Sequence, residues 1–492
     1  MKRLSQWLAE AGVEIDAVSG DAGVSGISAD SRTVRPGDLF VCMPSSSRDT
    51  HEFIGEVVSK GASAVLVHSP LGLDSAKAAG VPGVLPTDFG DGLWRLAKAL
   101  SGNPSGSMRV VGVTGTNGKT TTAWLIRDAL AALGRPASYL GTLGLHTPTS
   151  ERELGNTTPF PVELQGYLVE ALEGGSFDFV MEVSSHALQE KRADGVEFDV
   201  GVFTNLTQDH LDFHGTMEEY GAAKRRLFTD LPSQSSKKFV AALNVDDPTG
   251  LAWSSQLSVP VLTYGVNAGD LRGEPLEVRV DGISLRLHYR GESAILESRL
   301  GGRYNVENLL SAAAGLLGLG HSLSETVQGL HQARPVPGRF EPVENALGIH
   351  ILVDYAHTPD ALAKLLDAVK ESASGRIITV FGCGGDRDRT KRPLMAAAAS
   401  SRSDLTVVTS DNPRTENPEA IVSEVAAGIV VGSVSETIVD RREAVAYAIC
   451  QANPGDVVVI AGKGHENYQI IGKTKFPMDD RELAREAMGA LR

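Results

Sequence analysis

Thr114-Gly115-Thr116-Asn117-Gly118-Lys119-Thr120 is the stretch whose residue types and spacing point most directly to chemistry. Glycines let backbone amides approach phosphate oxygens. The start of a following helix favours negative charge, the Lys119 ammonium pairs with phosphate, and the Thr120 hydroxyl can reach a magnesium ion. The common P-loop has a glycine five residues before its Gly-Lys pair, and Val113 stands there. The plain alternative is an ordinary strand-to-helix turn that happens to contain Gly-Lys-Thr.

Other polar clusters follow apolar runs, where open α/β sheets place ligands. Glu182 ends one run and leads into Ser184-Ser185-His186, and Thr204-Asn205 with Asp209-His210 follow another. Glu182 and His210 could hold a hard cation together with Thr120. His210 and His214 do not form the metalloprotease pattern. Lys224 sits on a basic helical stretch and reads from composition as a solvated cation. Asn305 and Asn308 share a helix face, as caps or as ligand contacts. Asp354 and His357, Gly382 to Arg389, Asp411 to Arg414 and Gly462 to Glu466 all lie beyond apolar runs. Their mix of Asp, Arg and Glu suits a charged, zwitterionic ligand.

These residues need a frame, and the pattern supplies one. Val110 to Val113 reads as a buried strand, and residues 121 to 133 have helical spacing closed by Gly134-Arg135-Pro136. Residues 276 to 289 alternate about Asp281-Gly282, a hairpin. Thr358 reads as an N-cap with Pro359 in the first helical position. Strands alternate with helices, so an α/β chain with parallel sheets is expected. Its 492 residues are too many for one core. Ser101 to Ser107, rich in Gly, Pro and Ser, reads as a linker. The expected domains are residues 1–106, 107–336 and 337–492.

Composition bounds the rest. A hydrophobic share of 42% and a charged share of 22% are ordinary for a soluble globular protein. The net charge of −15 argues against general nucleic-acid binding. Three cysteines, Cys42, Cys383 and Cys450, lack metal-ligand spacing. Neither a signal peptide nor a membrane-spanning run is evident, so a cytoplasmic protein is expected.

The ordered motifs resemble those of the Mur ligases, ATP-dependent amide-forming enzymes of peptidoglycan synthesis. The resemblance rests on residues 114–120, Glu182 to His186, Thr204-Asn205 with Asp209-His210, Tyr304-Asn305 with Asn308, Pro337-Gly338-Arg339 and Asp354 to His357. Asn156-Thr157-Thr158-Pro159, residues 384–388, Asp411 to Arg414 and Gly462 to Glu466 are similar to the member that adds diaminopimelate. The resemblance implies three α/β domains, with a central P-loop-type, mostly parallel sheet and a C-terminal Rossmann-like domain.

It also implies roles. Gly115, Thr116, Asn117, Gly118, Lys119, Thr120 and Thr121 would hold the ATP phosphates, and Asn305, Arg339, Asp354 and His357 would complete the nucleotide site. Thr120, Glu182, His210 and a carbamylated Lys224 would serve Mg2+. Ser31, Ser46, Ser47 and Arg48 would meet the uridine diphosphate of UDP-N-acetylmuramoyl-L-alanyl-D-glutamate. Asn156, Thr157, Thr158, Ser184, Glu190 and Arg192 would hold its muramoyl dipeptide. Glu190 stands where related enzymes often have Gln, and Ser46-Ser47-Arg48 replace a His-Gln segment of some relatives. Arg387, Asp411, Asn412, Pro413, Arg414, Gly462 and Glu466 would bind meso-2,6-diaminopimelate. The implied enzyme is a monomer that closes its third domain before chemistry. Rival readings are a folylpolyglutamate synthetase, a lysine-adding ligase, or a nucleotide-dependent ATPase with no amine substrate.

Overall fold

A computed structural model describes residues 2–45 and 48–490. The chain divides into two compact units: residues 1–270 with 311–322, and residues 271–310 with 323–492.

The first unit contains two large sheets and a small antiparallel pair, Lys2–Arg3 with Gly23–Val24. One has five strands in the order Ile15–Val18, Gly83–Pro86, Ala64–Leu66, Asp38–Val41, Gly26–Ser28. All pair parallel except the first two. Apolar residues pack both faces, Leu4, Leu39 and Leu96 in one cluster and Phe40, Val57 and Val65 in another.

In the other sheet the order runs Glu151–Arg152, Gly144–His146, Ala137–Gly141, Asp178–Glu182, Arg109–Thr114, Val200–Phe203, Val240–Asn244, Val261–Gly265. The six strands from Ala137–Gly141 onward are parallel. Their residues are almost wholly buried, as strands covered on both faces must be. Arg109–Thr114 comes first in the chain yet lies in the middle. The chain moves from it to one side, returns beside it, then continues on the other. That reversal is the switch point at which ligands bind open α/β sheets, and the phosphate loop leaves from it.

Ser101 to Ser107, expected as a linker, is tied down. It forms a short 3-10 turn, Pro104–Ser107, with Pro104 and Ser105 buried. Asn103 Nδ2 donates to Glu197 Oε1 at 2.9 Å, and Ser105 Oγ accepts from the Glu197 backbone N at 3.1 Å. Gly-Pro-Ser composition marked a break in regular structure, but these side-chain bonds remove its freedom.

In the second unit, Leu271–Val278, Ile283–Tyr289 and Glu292–Ser298 form an antiparallel meander, so the expected hairpin gains a third strand. Its main sheet has six strands in the order Glu341–Pro342, His350–Asp354, Val457–Ala461, Ile377–Cys383, Leu405–Ser410, Ser435–Thr437, parallel but for the first. Helices cover both faces. Thr358 caps Pro359–Ser372 by accepting from the Ala361 N–H at 3.3 Å, as its sequence predicts.

Candidate functional site

The phosphate loop leaves strand Arg109–Thr114 and enters helix Lys119–Ala132. Gly115 has φ +149°, and a β-carbon there would lie 1.9 Å from Thr204 Oγ1. Only glycine lets the two loops approach so closely. Thr116 N–H donates to the Asn205 carbonyl at 2.8 Å and Asn117 N–H to Asn205 Oδ1 at 3.0 Å. Thr204 Oγ1 donates back to the Asn117 carbonyl at 2.6 Å. The second polar loop thus fixes the shape of the first.

Two lysines converge on this turn. Lys119 Nζ donates to the Gly115 and Thr116 carbonyls at 3.0 and 2.9 Å. Lys224 Nζ donates to the same Gly115 carbonyl at 2.8 Å and lies 4.3 Å from the centre of the Tyr220 ring. Lys224 is 1% exposed, which overturns its reading as a solvated cation. Burial, followed by the nearby Lys119 charge, holds its ammonium well below the ordinary lysine range. Among the described residues no carboxylate bonds it.

Glu182, 1% exposed, faces the start of the helix. Its carboxylate accepts from Thr120 Oγ1 at 3.0 Å, the Thr142 N–H at 2.8 Å, Thr142 Oγ1 at 3.3 Å and the Tyr139 hydroxyl. All these donors are neutral, and among the described residues no Lys or Arg pairs with it. A buried carboxylate without a cation, touching a threonine hydroxyl, is a hard-oxygen donor set that suits Mg2+. His210, with φ +52°, is exposed and lies 3.5 Å from Asp209. His214 is buried and bonded to Ser185 Oγ at 2.9 Å, so it does not join His210. Burial above all holds both His186 and His214 below the ordinary histidine range.

Beside Glu182 lies the cluster expected for the dipeptide. Thr158 Oγ1 donates to the Glu182 carbonyl at 2.9 Å and accepts from the Ser184 N–H at 3.1 Å. Ser184 caps helix Ser185–Gln189. Thr157 Oγ1 meets Thr142 Oγ1 at 3.3 Å, whereas Asn156 is exposed. Glu190 accepts from Arg192 Nε at 2.7 Å, and Arg192 also reaches the Thr158 carbonyl at 3.3 Å. Glu190 therefore serves Arg192 directly.

Of the first-sheet residues, Ser31 lies in a turn where Asp30 accepts from Arg32 Nη2 at 2.6 Å, and its carbonyl accepts from Lys60 at 2.9 Å. Arg48 is exposed beside Glu52 and Phe53. Ser46 and Ser47 lie outside the described residues. Asp49, His51 and His68 make a further close group. There Asp49 caps a 3-10 turn, and the two imidazoles pack at 4.2 Å, so the cluster has a structural explanation.

In the second unit, loops at the strand ends and the start of helix Tyr304–Gly318 carry the remaining candidates. Asp354 is buried, and that burial raises its carboxyl above the ordinary range, against the lowering pull of Arg339. It accepts from the Phe340 and Ala356 N–H groups at 2.7 and 2.8 Å. The Arg339 guanidinium lies 4.9 Å from the Tyr355 ring, and that ring 5.2 Å from His465. His357 is exposed. Asn305 Nδ2 donates to the Gly301 carbonyl at 2.7 Å, and Asn308 Nδ2 to Asn305 Oδ1 at 2.8 Å.

Arg414 has φ +51°, held by hydrogen bonds to and from the hairpin Tyr468–Ile471/Thr474–Pro477: its N–H reaches the Ile470 carbonyl at 3.0 Å and its carbonyl accepts from Gly472 at 2.7 Å. Its Nη1 donates to the Gly385 carbonyl at 2.8 Å, and among the described residues its other guanidinium nitrogens have no protein hydrogen bond. A β-carbon on Gly385 would lie 1.9 Å from the Pro413 carbonyl, so that glycine permits the two loops to touch. Arg387 is exposed nearby. Asn412 Nδ2 donates to Glu466 Oε2 at 2.9 Å. Behind these loops, Arg441 and Asp480 form a fully buried pair at 2.6 Å. Arg441 also reaches the Ala461 carbonyl at 3.0 Å and the Ser410 carbonyl at 3.4 Å, the roots of both loops.

Sequence reading missed Tyr139 and Thr142 around Glu182, and the pair Arg441–Asp480. No local signal marked them, because each acts across long sequence separations.

Comparison with known proteins fits this geometry. The description "Mur ligase middle domain" matches residues 113–316, and "Mur ligase, glutamate ligase domain" matches residues 338–464. The chain belongs to the Mur ligase family. Among Mur ligases, a protein of Gloeobacter violaceus is 46% identical over 494 residues, covering 100% of this chain and 99% of its own. One from Geobacillus thermodenitrificans is 43% identical over 474 residues, covering 95% and 96%. Both are named UDP-N-acetylmuramoyl-L-alanyl-D-glutamate–2,6-diaminopimelate ligase. A solved structure of that name has TM-score 0.72 at 34% identity and covers 99% of each chain. A Mur ligase of Thermotoga maritima solved in complex with ADP shares the fold, with TM-score 0.62 at 19% identity over 95% of this chain and 97% of its own.

Proposed function

We propose that this ligase joins meso-2,6-diaminopimelate to the D-glutamyl residue of UDP-N-acetylmuramoyl-L-alanyl-D-glutamate, a step of peptidoglycan precursor synthesis, and converts ATP to ADP and phosphate. The observation that carries the reading is the pair of lysines turned onto the Gly115 loop beside a buried carboxylate with only neutral partners. Such an arrangement is complete only with an anion and a cation. Full-length likeness to relatives of that name supports the choice of substrates.

The chemistry follows from the residues. A carboxylate oxygen of the D-glutamyl side chain attacks the terminal phosphorus of ATP, ADP leaves, and an acyl phosphate forms. Lys119 and the amides of residues 115–121 offset charge on the transferring group. Thr120, Glu182, His210 and Lys224 would hold Mg2+, which when bound neutralises phosphate oxygens. For Lys224 the lowered titration range is useful because it favours the neutral amine, the only form that takes up carbon dioxide as a carbamate. Asn305, Arg339, Asp354 and His357 are assigned to the rest of the nucleotide. The neutral amine of diaminopimelate then attacks the acyl carbon, the carbon–oxygen bond to phosphate breaks with its electron pair going to phosphate, and the nitrogen gives up one proton to water or the departing phosphate. Asp411, Asn412, Pro413, Gly462 and Glu466 shape the amine's site. Arg414, helped by Arg387, grips the distal carboxylate that lysine lacks.

Ser31, Ser46, Ser47 and Arg48 are assigned to the uridine diphosphate, and Asn156, Thr157, Thr158, Ser184 and Arg192 to the muramoyl dipeptide, with Glu190 orienting Arg192. We assign these tasks to domains 1–106, 107–336 and 337–492. No helix among the described residues is long and apolar enough to cross a membrane. A cytoplasmic reaction by a monomer is part of this reading, since one chain carries candidates for all three substrates.

The test is phosphate release with UDP-muramoyl dipeptide and diaminopimelate, lysine or no amine. Release that depends on diaminopimelate supports the proposal. Equal release without amine would favour a plain ATPase, and a preference for lysine would transfer the chain to the lysine-adding reaction.

A further inference from the structure

Lys463 is a lysine with no part in the chemistry above, yet it is 0% exposed. A buried ammonium must be compensated where it lies. Its Nζ donates to Glu466 Oε2 at 3.2 Å and to Asn412 Oδ1 at 3.4 Å, and lies 5.7 Å from the Tyr468 ring centre. Both polar partners belong to the loops assigned to the amine substrate.

The surrounding bonds have one direction. Asn412 Oδ1 accepts from the Ile470 N–H at 2.8 Å as well as from Lys463, while its Nδ2 donates to Glu466 Oε2 at 2.9 Å. The amide can satisfy all three only in this orientation, since a flip would set its NH2 against two donors. Both bonds into Glu466 end on Oε2. Among the described residues Oε1 has no protein hydrogen bond, and the side chain stays partly exposed. The carboxylate is thus gripped from inside on one oxygen and offers the other outward.

We propose that Lys463 is the positioning residue of the amine site: its buried ammonium locks the Asn412 amide and aims the free oxygen of Glu466 at an ammonium of the incoming amino acid. This rests on the assignment of these loops to the amine substrate. Lys463 also offsets one negative charge of a loop pair that holds Asp411 and Glu466, which lets a zwitterion enter without excess repulsion or attraction.

The test is steady-state kinetics of Lys463→Met, Glu466→Gln and the double variant. Lys463→Met should raise KM for diaminopimelate about tenfold or more, the loss of one charge-assisted contact, while KM for ATP and for the UDP-muramoyl dipeptide stays within about twofold. Because Lys463 acts through Glu466, the double variant should be no worse than Glu466→Gln alone. Equal rises in all three KM values, or additive effects in the double variant, would overturn the proposal. Should Lys463→Met not fold, Lys463→Gln keeps a donor without the charge and is measured the same way. Failure of both to fold would make Lys463 a purely structural cation. Wild-type protein showing no diaminopimelate-dependent turnover would instead refute the substrate assignment itself.

Discussion

The phosphate loop of the first unit and the polar loops of the second handle buried charge in opposite ways. Around Gly115, Lys224 is buried against a carbonyl and a ring with no bonded acid, and Glu182 is buried among hydroxyls and an amide with no bonded cation. In the second unit three buried cations are paired within the chain, Arg441 with Asp480, Arg392 with Glu416 and Glu424, Lys463 with Glu466, while Asp354 is held by two backbone N–H groups. The first arrangement is incomplete in itself and favours an incoming polyanion and cation. The second is complete and spends its electrostatics on holding loops in shape. Charge stabilisation in a transition state calls for the first, and discrimination between similar amino acids for the second.

The largest break in this contrast should come from Arg441→Leu. Removing one partner of a fully buried pair leaves Asp480 uncompensated, at a cost of about 3–5 kcal/mol of stability. Urea unfolding would read this as a lower midpoint, and an unchanged midpoint would show that the pair is not a strut. Next, Lys119→Ala should lower kcat by roughly a hundredfold or more, about 2.7–4 kcal/mol, with little change in unfolding midpoint. Near-normal ligation by the folded variant would remove the phosphate cradle from the account.

Arg414→Ala sharpens the comparison from the other side. Loss of a charge-assisted contact of about 1.5–3 kcal/mol should reduce the preference for diaminopimelate over lysine by tenfold or more, and leave KM for ATP nearly unchanged. Competition assays with both amines decide it, and an undiminished preference would move specificity elsewhere.

The smallest expected effect is the pH dependence contributed by Lys224. Its folded-state ammonium titrates well below the ordinary value of 10.5. Between the two values the unfolded chain binds more protons, so this group makes stability rise with pH across that window. In protein prepared free of carbon dioxide, Lys224→Met should flatten this rise toward pH 10 and stabilise the fold near pH 7. Ligation should meanwhile be lost, with partial return on adding short carboxylates if a carbamate is the working form. Lys224→Arg should not ligate, because a guanidinium cannot become the carbamate. An active Arg variant would refute that role.

Much of this was legible in one dimension. The βα turn at residues 114–120, the cap at Thr358 and the hairpin about Asp281-Gly282 are local, because turn glycines, caps and alternation act over a few residues. Residues 101–107 misled as a linker, since composition reports the break in regular structure but not the bonds that Asn103 and Ser105 make to Glu197. Lys224 misled for the same reason: its helix is polar on average, and only burial against Gly115 distinguishes it from neighbouring cations.

By itself the sequence determined the alternation of strands and helices, the phosphate-binding turn and the polar loops that end each strand, all properties of short windows. Tertiary structure alone decided which charges are compensated. Tyr139 and Thr142 meet Glu182 from about forty residues away, and Arg441 meets Asp480 across 39 residues. Whether a side chain is solvated, paired or left needing a ligand depends on what the fold places within a few ångströms of it, and no local pattern encodes that distance.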